Sequence, residues 1–169
     1  IRHAVLRELS RGGQIYFVHN RVEDIEQVAR RLQFIVPEAT LRIGHGQMNE
    51  SELERVMVDF VDQQFDILLA TTIVESGLDI PNANTIIIDR ADRFGLSQLH
   101  QLRGRVGRGK HASQCILVAE PTTPEGEQRL AAMVATNDGF RLAEEDLRIR
   151  GQGTVFGTRQ AGMKDLKLA

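Results

Sequence analysis

The stretch "QIYFVHNRVEDIEQVARRLQF", residues 14–34, contains a complete strand-to-helix transition. It opens on a short aliphatic and aromatic run, and two glycines stand directly before it, which is typical of a buried β-strand. Apolar residues then recur at helical spacing, namely Val22, Ile25, Val28, Ala29 and Leu32. This pattern predicts a buried strand over 14–19 followed by an amphipathic helix over 22–34 that packs on it.

Four further apolar runs follow along the chain: "TLRIGHG" (40–46), "FDILLAT" (65–71), "NTIIID" (84–89) and "QCILVAE" (114–120). A helix is expected after the first of them, since Asn49 followed by Glu52 resembles a capping box. Its buried stripe is predicted to consist of Leu53, Val56, Met57 and Phe60. Strands that alternate with helices predict an α/β fold, in which a parallel sheet is covered by helices on both faces.

The character of the sequence changes beyond Pro121. Two helical segments are expected around Asn137-Asp138-Gly139, and the glycine-punctuated "GQGTVFGTRQAG" (151–162) follows without a clear period. The sequence therefore predicts two domains, an α/β lobe over 1–120 and a helical hairpin with an irregular hook over 121–169. Phe94 and Phe140 are expected to belong to the core.

Composition limits the classes of function. The 169 residues are 41% hydrophobic and 26% charged, with a net charge of −2 and a pI near 6.2, so any binding of anions must depend on local clusters. A lone Cys115 excludes an intrachain disulfide and a multi-cysteine zinc site, and is expected in a buried strand. Without a membrane span or a signal peptide, we expect a cytosolic or nucleoid-associated protein, or an organelle protein after removal of a transit peptide. The start without Met and the abrupt end suggest a fragment of something longer.

The most unusual local cluster is "QLHQLRGRVGRG", residues 98–109, in which arginines alternate with glycines and no carboxylate is present. Guanidinium groups bind phosphate through two parallel hydrogen bonds, and neighbouring glycines permit close backbone approach. We expect an arginine loop at the carboxyl edge of the sheet, where ligands of parallel sheets bind, and a polyphosphate as its ligand. The alternative is a solvated turn whose arginines pair with acidic residues elsewhere.

Two segments carry a resemblance to a known family. "QLRGRVGR" (101–108) resembles motif VI of superfamily 2 helicases, and "TTIVESGLDIP" (71–81) resembles their motif V, in the same order and joined by a strand. "FGLSQLHQLRGRVGRG" (94–109) and the tail "DGFRLAEEDLRIRGQGTVFGTRQAG" (138–162) are similar to a subgroup formed by RecG and the bacterial transcription-repair coupling factors, which share a hairpin and hook called the TRG motif. The chain therefore resembles a second RecA-like lobe with this motif.

The resemblance implies roles for individual residues. Arg105 and Arg108 match the arginine fingers that reach the γ-phosphate of ATP on the other lobe, and Gln101 would sense that phosphate or the attacking water. Gly77 and Asp79 match nucleotide-side positions, with Asp79 able to accept from ribose hydroxyls. Arg103 points elsewhere in this pattern and is a candidate for a structural role.

DNA contacts are expected to be made to the phosphate backbone, since a motor that moves along DNA must not read bases. Thr71, Thr72, His45 and Gly46 are the candidates, although a backbone group could instead satisfy His45 at a strand end. For coupling between ATP and movement the candidates are Glu75, Arg150 and Gln160. Their alternative roles are plain salt bridges, of Glu75 with a motif arginine and of Arg150 with Glu144, Glu145 or Asp146.

The sequence has no G-x-x-x-x-G-K-[ST] phosphate loop and no acidic box after a strand, so ATP with Mg²⁺ must be held mainly by a first lobe outside this chain. The resemblance implies double-stranded or branched DNA, that first lobe, and RNA polymerase through other domains as partners. It implies either a coupling factor that displaces stalled polymerase or a RecG-type helicase that remodels forks. Two other hypotheses are a non-catalytic docking module and a small nucleotide-binding protein that acts alone.

Overall fold

The computed structural model describes residues 1–71, 82–106, 112–120 and 123–151. The chain divides into two compact units. The first comprises Ile1–Arg90 and Leu102–Val118, and the second comprises Ala91–Gln101 and Ala119–Ala169. Residues 91–101 thus group with the second unit, whereas the predicted boundary at residue 120 stays a prediction.

The first unit is built on a five-stranded parallel sheet: β1 (Gln14–Val18), β2 (Leu41–Gly44), β3 (Ile67–Ala70), β4 (Ala83–Asp89) and β5 (Gln114–Val118). The strands lie in the order β2-β3-β1-β4-β5. Tyr16 in the central strand pairs with Leu68 on one side and with Ile86 on the other, and both pairings are parallel. Every residue of β1 and β3 is buried, as expected for strands covered on both faces. The predicted α/β fold class is confirmed.

The helices of this unit are α1 (Arg2–Ser10), α2 (Ile25–Ile35) and α3 (Glu50–Val61), with a 3₁₀ turn over Val22–Asp24. Asn49 caps α3 as predicted, and its side-chain oxygen accepts from the Ser51 backbone N–H at 2.9 Å. The buried stripe of α3 is also confirmed, except that Leu53 is only half-buried. The core between the sheet and α1 and α2 includes Val5, Ile15, Phe17, Ile25, Ala29, Leu32, Ile67, Leu69 and Ile87.

Helix α1 is absent from the sequence-based interpretation, and a buried carboxylate explains how it attaches. Glu8 is buried, accepts from the Thr85 hydroxyl at 2.9 Å and forms an ion pair with Arg11. A Cβ at Gly13 would lie 2.6 Å from the Glu8 carboxylate, so the chain approaches this side chain closely at the start of β1. The hydrogen bond from Thr85 on β4 to Glu8 therefore links α1 to the sheet, at a position where a pattern search expects an apolar side chain.

The second unit is helical. It contains a 3₁₀ turn (Ala91–Arg93), the first six residues of α4 (Leu96–Arg103), α5 (Pro124–Ala135) and α6, helical over 139–151. Thr123 caps α5, since its hydroxyl accepts from the Gly126 N–H at 3.1 Å. The expected hairpin thus appears as α5 and α6 separated by residues 136–138. The expected hook lies outside the described residues.

One core assignment in this unit is wrong. Phe94 is buried as expected, but Phe140 is 85% exposed. Phe140 lies at the start of α6, where its backbone N–H donates to Asp138 Oδ1 at 2.9 Å. Leu142 and Ile149 supply the buried face of this helix instead. The prediction failed because an aromatic residue at a helix start was assigned by residue type, without a helical stripe to support it.

Candidate functional site

The carboxyl edge of the sheet is the candidate site, because ligands of parallel α/β sheets bind beyond the ends of the strands. His19 follows β1, His45 follows β2, Thr71 follows β3 and Arg90 follows β4. The sheet order places β2 beside β3, and the Thr71 N–H donates to the Gly44 carbonyl at 3.4 Å. Three of the predicted DNA-contacting residues, His45, Gly46 and Thr71, therefore follow two neighbouring strands at one edge.

Thr71 has an unusual environment. The residue is 2% exposed, and its buried hydroxyl has no hydrogen-bond partner within the part of the chain that the structure describes. Most buried polar side-chain atoms in native proteins are paired. Within the described ranges the hydroxyl is therefore an unsatisfied group at the strand end that is also closed to solvent, and a contact between Thr71 and DNA stays a prediction.

His45 forms a tight turn after β2. Its Nδ1 accepts from the Gln47 backbone N–H at 3.2 Å, and its carbonyl accepts from the Met48 N–H at 3.1 Å. A backbone group therefore does satisfy one ring nitrogen, as the alternative interpretation held. In the neutral ring the proton then lies on Nε2, so that a donor remains for a phosphate oxygen. Gly46 in the same turn is exposed.

Several candidates lie outside the described residues. These are Thr72, Glu75, Gly77 and Asp79 of the motif V-like segment, Arg108 of the arginine-rich stretch and Gln160 of the tail. Their predicted roles stay predictions.

The arginine-rich stretch begins as a helix and not as a loop. Residues 98–103 are the last six of α4, and Arg105 follows, with its N–H donating to the Leu102 carbonyl at 3.0 Å. Leu96, Leu99 and Leu102 are buried at a spacing of three residues, which favours helix over the open loop that the glycines suggested. Gln101 is exposed and Arg105 half-buried. The helix ends at Arg103, directly before Gly104.

Arg103 and Cys115 are linked by electrostatics within the first unit. Burial raises the pKa of the Cys115 thiol to about 11, and the nearby charge of Arg103 opposes that shift. Cys115 lies on β5 and is half-buried, whereas full burial was expected. A thiol with so high a pKa is a poor nucleophile at neutral pH.

The feature that the sequence-based interpretation missed is His19. Its ring is 1% exposed, and its Nδ1 and Nε2 each lie 2.7 Å from a carboxylate oxygen, of Asp89 and Asp24 respectively. The hydrogen bond to Asp89, followed by that to Asp24, raises the pKa of His19 against the opposing effect of burial. The bond to His19 in turn lowers the pKa of Asp24. A strand-end histidine and a strand-end aspartate were visible in the sequence, but their proximity depends on β1 and β4 being neighbours.

In the second unit, Arg150 pairs with Asp146 one helical turn away, with 3.1 Å between Nη2 and Oδ2. Asp146 is one of the three partners that the alternative interpretation named, and the arginine side chain remains largely exposed. A coupling role for Arg150 stays a prediction.

In the described ranges, interrupted after residues 71, 106 and 120, no cluster of His, Cys, Asp or Glu suits a metal ion. No helix there has the length and apolar character that a membrane span requires.

Comparisons with family models agree with this geometry. The model of the helicase conserved C-terminal domain matches residues 1–110, which is more than half of the chain. The model of the C-terminal part of domain 3 of the ATP-dependent DNA helicase RecG matches residues 136–169.

The curated proteins most similar to the chain include transcription-repair-coupling factors from several bacteria. The chain is 54% identical over 168 residues to the transcription-repair-coupling factor of Escherichia coli (strain K12), covering 96% of this chain and 15% of that protein. It is 46% identical over 171 residues to the transcription-repair-coupling factor of Bacillus subtilis (strain 168), covering 98% of this chain and 14% of that protein. The chain thus spans only about a seventh of the length of these relatives.

Among solved structures, RecG bound to a three-way DNA junction is 40% identical with a TM-score of 0.77, covering 90% of this chain and 21% of that one. The C-terminal domain of the DEAD-box protein Dbp5 is 18% identical with a TM-score of 0.58, covering 79% of this chain and 76% of that one, and shows the fold alone. The chain therefore belongs to the helicase conserved C-terminal domain family, as a second RecA-like lobe of the superfamily 2 group that contains RecG and the transcription-repair-coupling factors.

Proposed function

We propose that this chain is the second motor lobe of an ATP-dependent double-stranded-DNA translocase of the coupling-factor type, which displaces stalled RNA polymerase during DNA repair. The observation that carries this proposal is the 54% identity to a transcription-repair-coupling factor across 96% of the chain. Such identity extends over both the sheet and the helical unit, so a shared motor is a better explanation than a shared fold.

The residues at the end of β1 bear on whether this lobe could bind ATP without another lobe. In a nucleotide-binding protein that acts alone, a glycine-rich loop after the first strand cradles the phosphates. Here that position holds His19, whose two ring nitrogens are both bonded to carboxylates, of Asp89 and Asp24, so the ring has no donor left for a phosphate. The described residues thus do not fit a complete ATP site. This geometry disfavours the hypothesis of an independent nucleotide-binding protein.

The chain would instead supply arginine side chains to the phosphates of ATP, while a first lobe would hold most of the ATP and its Mg²⁺. Arg105 lies directly after α4, and Arg108 follows three residues later. Guanidinium groups at these positions would stabilise the charge that develops on the γ-phosphate, and Gln101 would orient the attacking water. Asp79 and Gly77 would contact the nucleotide from the motif V-like segment. We expect the chain by itself to be inactive as an ATP hydrolase.

DNA would bind along the carboxyl edge through its phosphate backbone. Thr71, Thr72, His45 and Gly46 offer hydroxyl, imidazole and backbone donors, which bind phosphates without reading sequence. Glu75, Arg150 and Gln160 would couple closure of the cleft to movement of the helical unit. The RecG structure bound to a three-way DNA junction, 40% identical to this chain, supports DNA as the partner.

A RecG-type function in recombination and fork repair is the second candidate. It is favoured by the RecG domain 3 model over residues 136–169 and by the TM-score of 0.77 to the RecG structure. A non-catalytic docking module is less favoured, since a lobe without a motor has no physical reason to keep Arg105 and Arg108 in a stretch without carboxylates.

The two motor candidates differ in their substrate, and one experiment separates them. The full-length protein is offered RNA polymerase stalled on a duplex, and in parallel a forked duplex without polymerase. We expect ATP-dependent release of the transcript from the stalled complex. Regression of the fork without any polymerase release would instead support the RecG-type function.

A further inference from the structure

The structure fixes the protonation state of His19 by geometry. Its Nδ1 lies 2.7 Å from Asp89 Oδ2, and its Nε2 lies 2.7 Å from Asp24 Oδ1. A neutral imidazole donates from one nitrogen only, so its other nitrogen would face a carboxylate oxygen with lone pair against lone pair. Only the imidazolium donates both hydrogen bonds. A buried cation therefore lies at the end of the central strand.

This cation joins three elements of the carboxyl edge. His19 follows β1, Asp89 ends β4, and Asp24 stands directly before α2. Arg90, the next residue after β4, has a backbone φ of +51°, a conformation that costs energy in a residue other than glycine. Its guanidinium lies 3.8 Å from Asp24 Oδ2. The contacts thus hold the strained turn that follows β4.

Among the described side chains at the ends of β1 and β4, charge is balanced only while His19 is protonated. Two carboxylates, Asp24 and Asp89, oppose two cations, His19 and Arg90. The remaining charged side chains of the segment, Arg21 and Glu23, lie 3.8 Å apart and compensate each other. Loss of the imidazolium proton would leave this group of side chains with one net negative charge, next to the position where DNA is proposed to bind.

We propose that His19 is a positioning residue for DNA binding, whose cationic ring holds the ends of β1 and β4 together and keeps the described side chains at these two strand ends neutral toward DNA phosphates. The inference rests on the proposed function, because it assigns DNA to the carboxyl edge. It adds to that function a residue that contacts neither nucleotide nor DNA.

A pH dependence follows, and its direction is set by the raised pKa of His19. A group whose pKa is higher in the folded protein is fully protonated below its ordinary value and loses its proton as pH rises through the raised value. DNA binding by the protein should therefore be constant below the ordinary pKa of histidine and weaken as pH rises through the raised pKa of His19.

The test uses His19→Gln in the full-length protein, with the DNA-stimulated turnover of ATP measured against duplex concentration from pH 6.5 to 9.5. Removal of this charge should raise the half-saturating duplex concentration measurably, though by less than the about 5-fold that a lost phosphate contact costs near 0.15 M salt, because His19 itself does not contact DNA. Turnover at saturating duplex should change less than about 2-fold, since His19 is separate from the nucleotide. The alkaline weakening of the unmodified protein should be absent from the variant.

Two further variants keep the test decisive. His19→Gln combined with Asp24→Asn restores a neutral edge and should recover at least half of the lost affinity. Asp24→Asn alone adds one net positive charge and should tighten duplex binding, even if His19→Gln fails to fold as judged by its melting temperature. The control is Glu38→Gln, which removes the carboxylate partner of the exposed Arg2. This variant should behave as the unmodified protein.

The outcomes separate this inference from the proposed function. Equal half-saturation and equal pH profiles for His19→Gln and the unmodified protein would overturn the role of His19 while leaving the motor intact. A double variant as weak as His19→Gln, with Asp24→Asn no tighter than the unmodified protein, would overturn the charge argument. If duplex DNA stimulates no ATP turnover at any pH, the proposed function itself fails, and the inference falls with it.

Discussion

Replacing Arg108 with alanine in the full-length protein is expected to lower DNA-stimulated ATP turnover by a factor of about 10² or more. An arginine finger stabilises charge that develops only in the transition state, and such a residue is worth about 10³–10⁵ in rate in nucleotide hydrolases. Binding of ATP in the ground state should be retained, because the first lobe is proposed to hold most of the nucleotide. Single-turnover kinetics and binding of a fluorescent ATP analogue measure the two quantities separately.

Arg31→Ala is the matched control, since Arg31 is an exposed arginine of α2. We expect its turnover to stay within about 2-fold of the unmodified protein, as for most surface substitutions. Arg105→Ala should resemble Arg108→Ala if both arginines reach the γ-phosphate. Unchanged turnover in both finger variants would mean that the arginines are surface charge.

The second large effect is expected on stability, from Phe60→Ala. Phe60 in α3 is fully buried, and its ring stacks on Phe65 with 5.2 Å between centroids. The Gln14 side-chain amide also donates to the Phe60 and Phe65 carbonyls, each at 2.8 Å, so α3 and the chain after it are fixed to β1 at this point. Truncation leaves a cavity beside a rigid sheet and should cost about 3–5 kcal/mol in the free energy of unfolding.

Urea unfolding monitored by circular dichroism measures this loss, with Val58→Ala as control. Val58 lies on the same helix but is half exposed, so its truncation should cost less than about 1 kcal/mol. Equal midpoints for the two variants would show that Phe60 is not a core residue.

The apolar runs predicted all five strands, because a strand covered on both faces needs continuous apolar sequence. Helix α2 followed from a single apolar stripe, and the start of α3 followed from the capping residue Asn49. These signals are local, and each can be recognised in one window of sequence.

What escaped prediction depends on contacts between distant segments. Helix α1 attaches through the buried carboxylate of Glu8, which bonds Thr85 seventy-seven residues away. Likewise, the strand order places β1 between β3 and β4, so that His19 meets Asp89 across seventy positions. A buried charged residue has no apolar signature, and only the fold supplies its partner.

The residues of the candidate site were also predictable only where local sequence carried the signal. Thr71, His45 and Gly46 were predictable as strand-end residues, and the structure brings them to neighbouring strands of one edge. The first half of the arginine-rich stretch was wrongly predicted to be a loop. That prediction relied on its glycines and overlooked three leucines at helical spacing in α4. The glycines indicated a loop, but burial of the leucines stabilises a helix that extends to Arg103.

The central claim is that this lobe belongs to a motor that moves along double-stranded DNA, and displacement of a third strand tests it most directly. A short triplex-forming strand is bound to a duplex, and its release by the full-length protein is followed with ATP and with a non-hydrolysable analogue. The account predicts release with ATP only, and its loss in Arg108→Ala. Duplex-stimulated ATP turnover without any release of the third strand would contradict it.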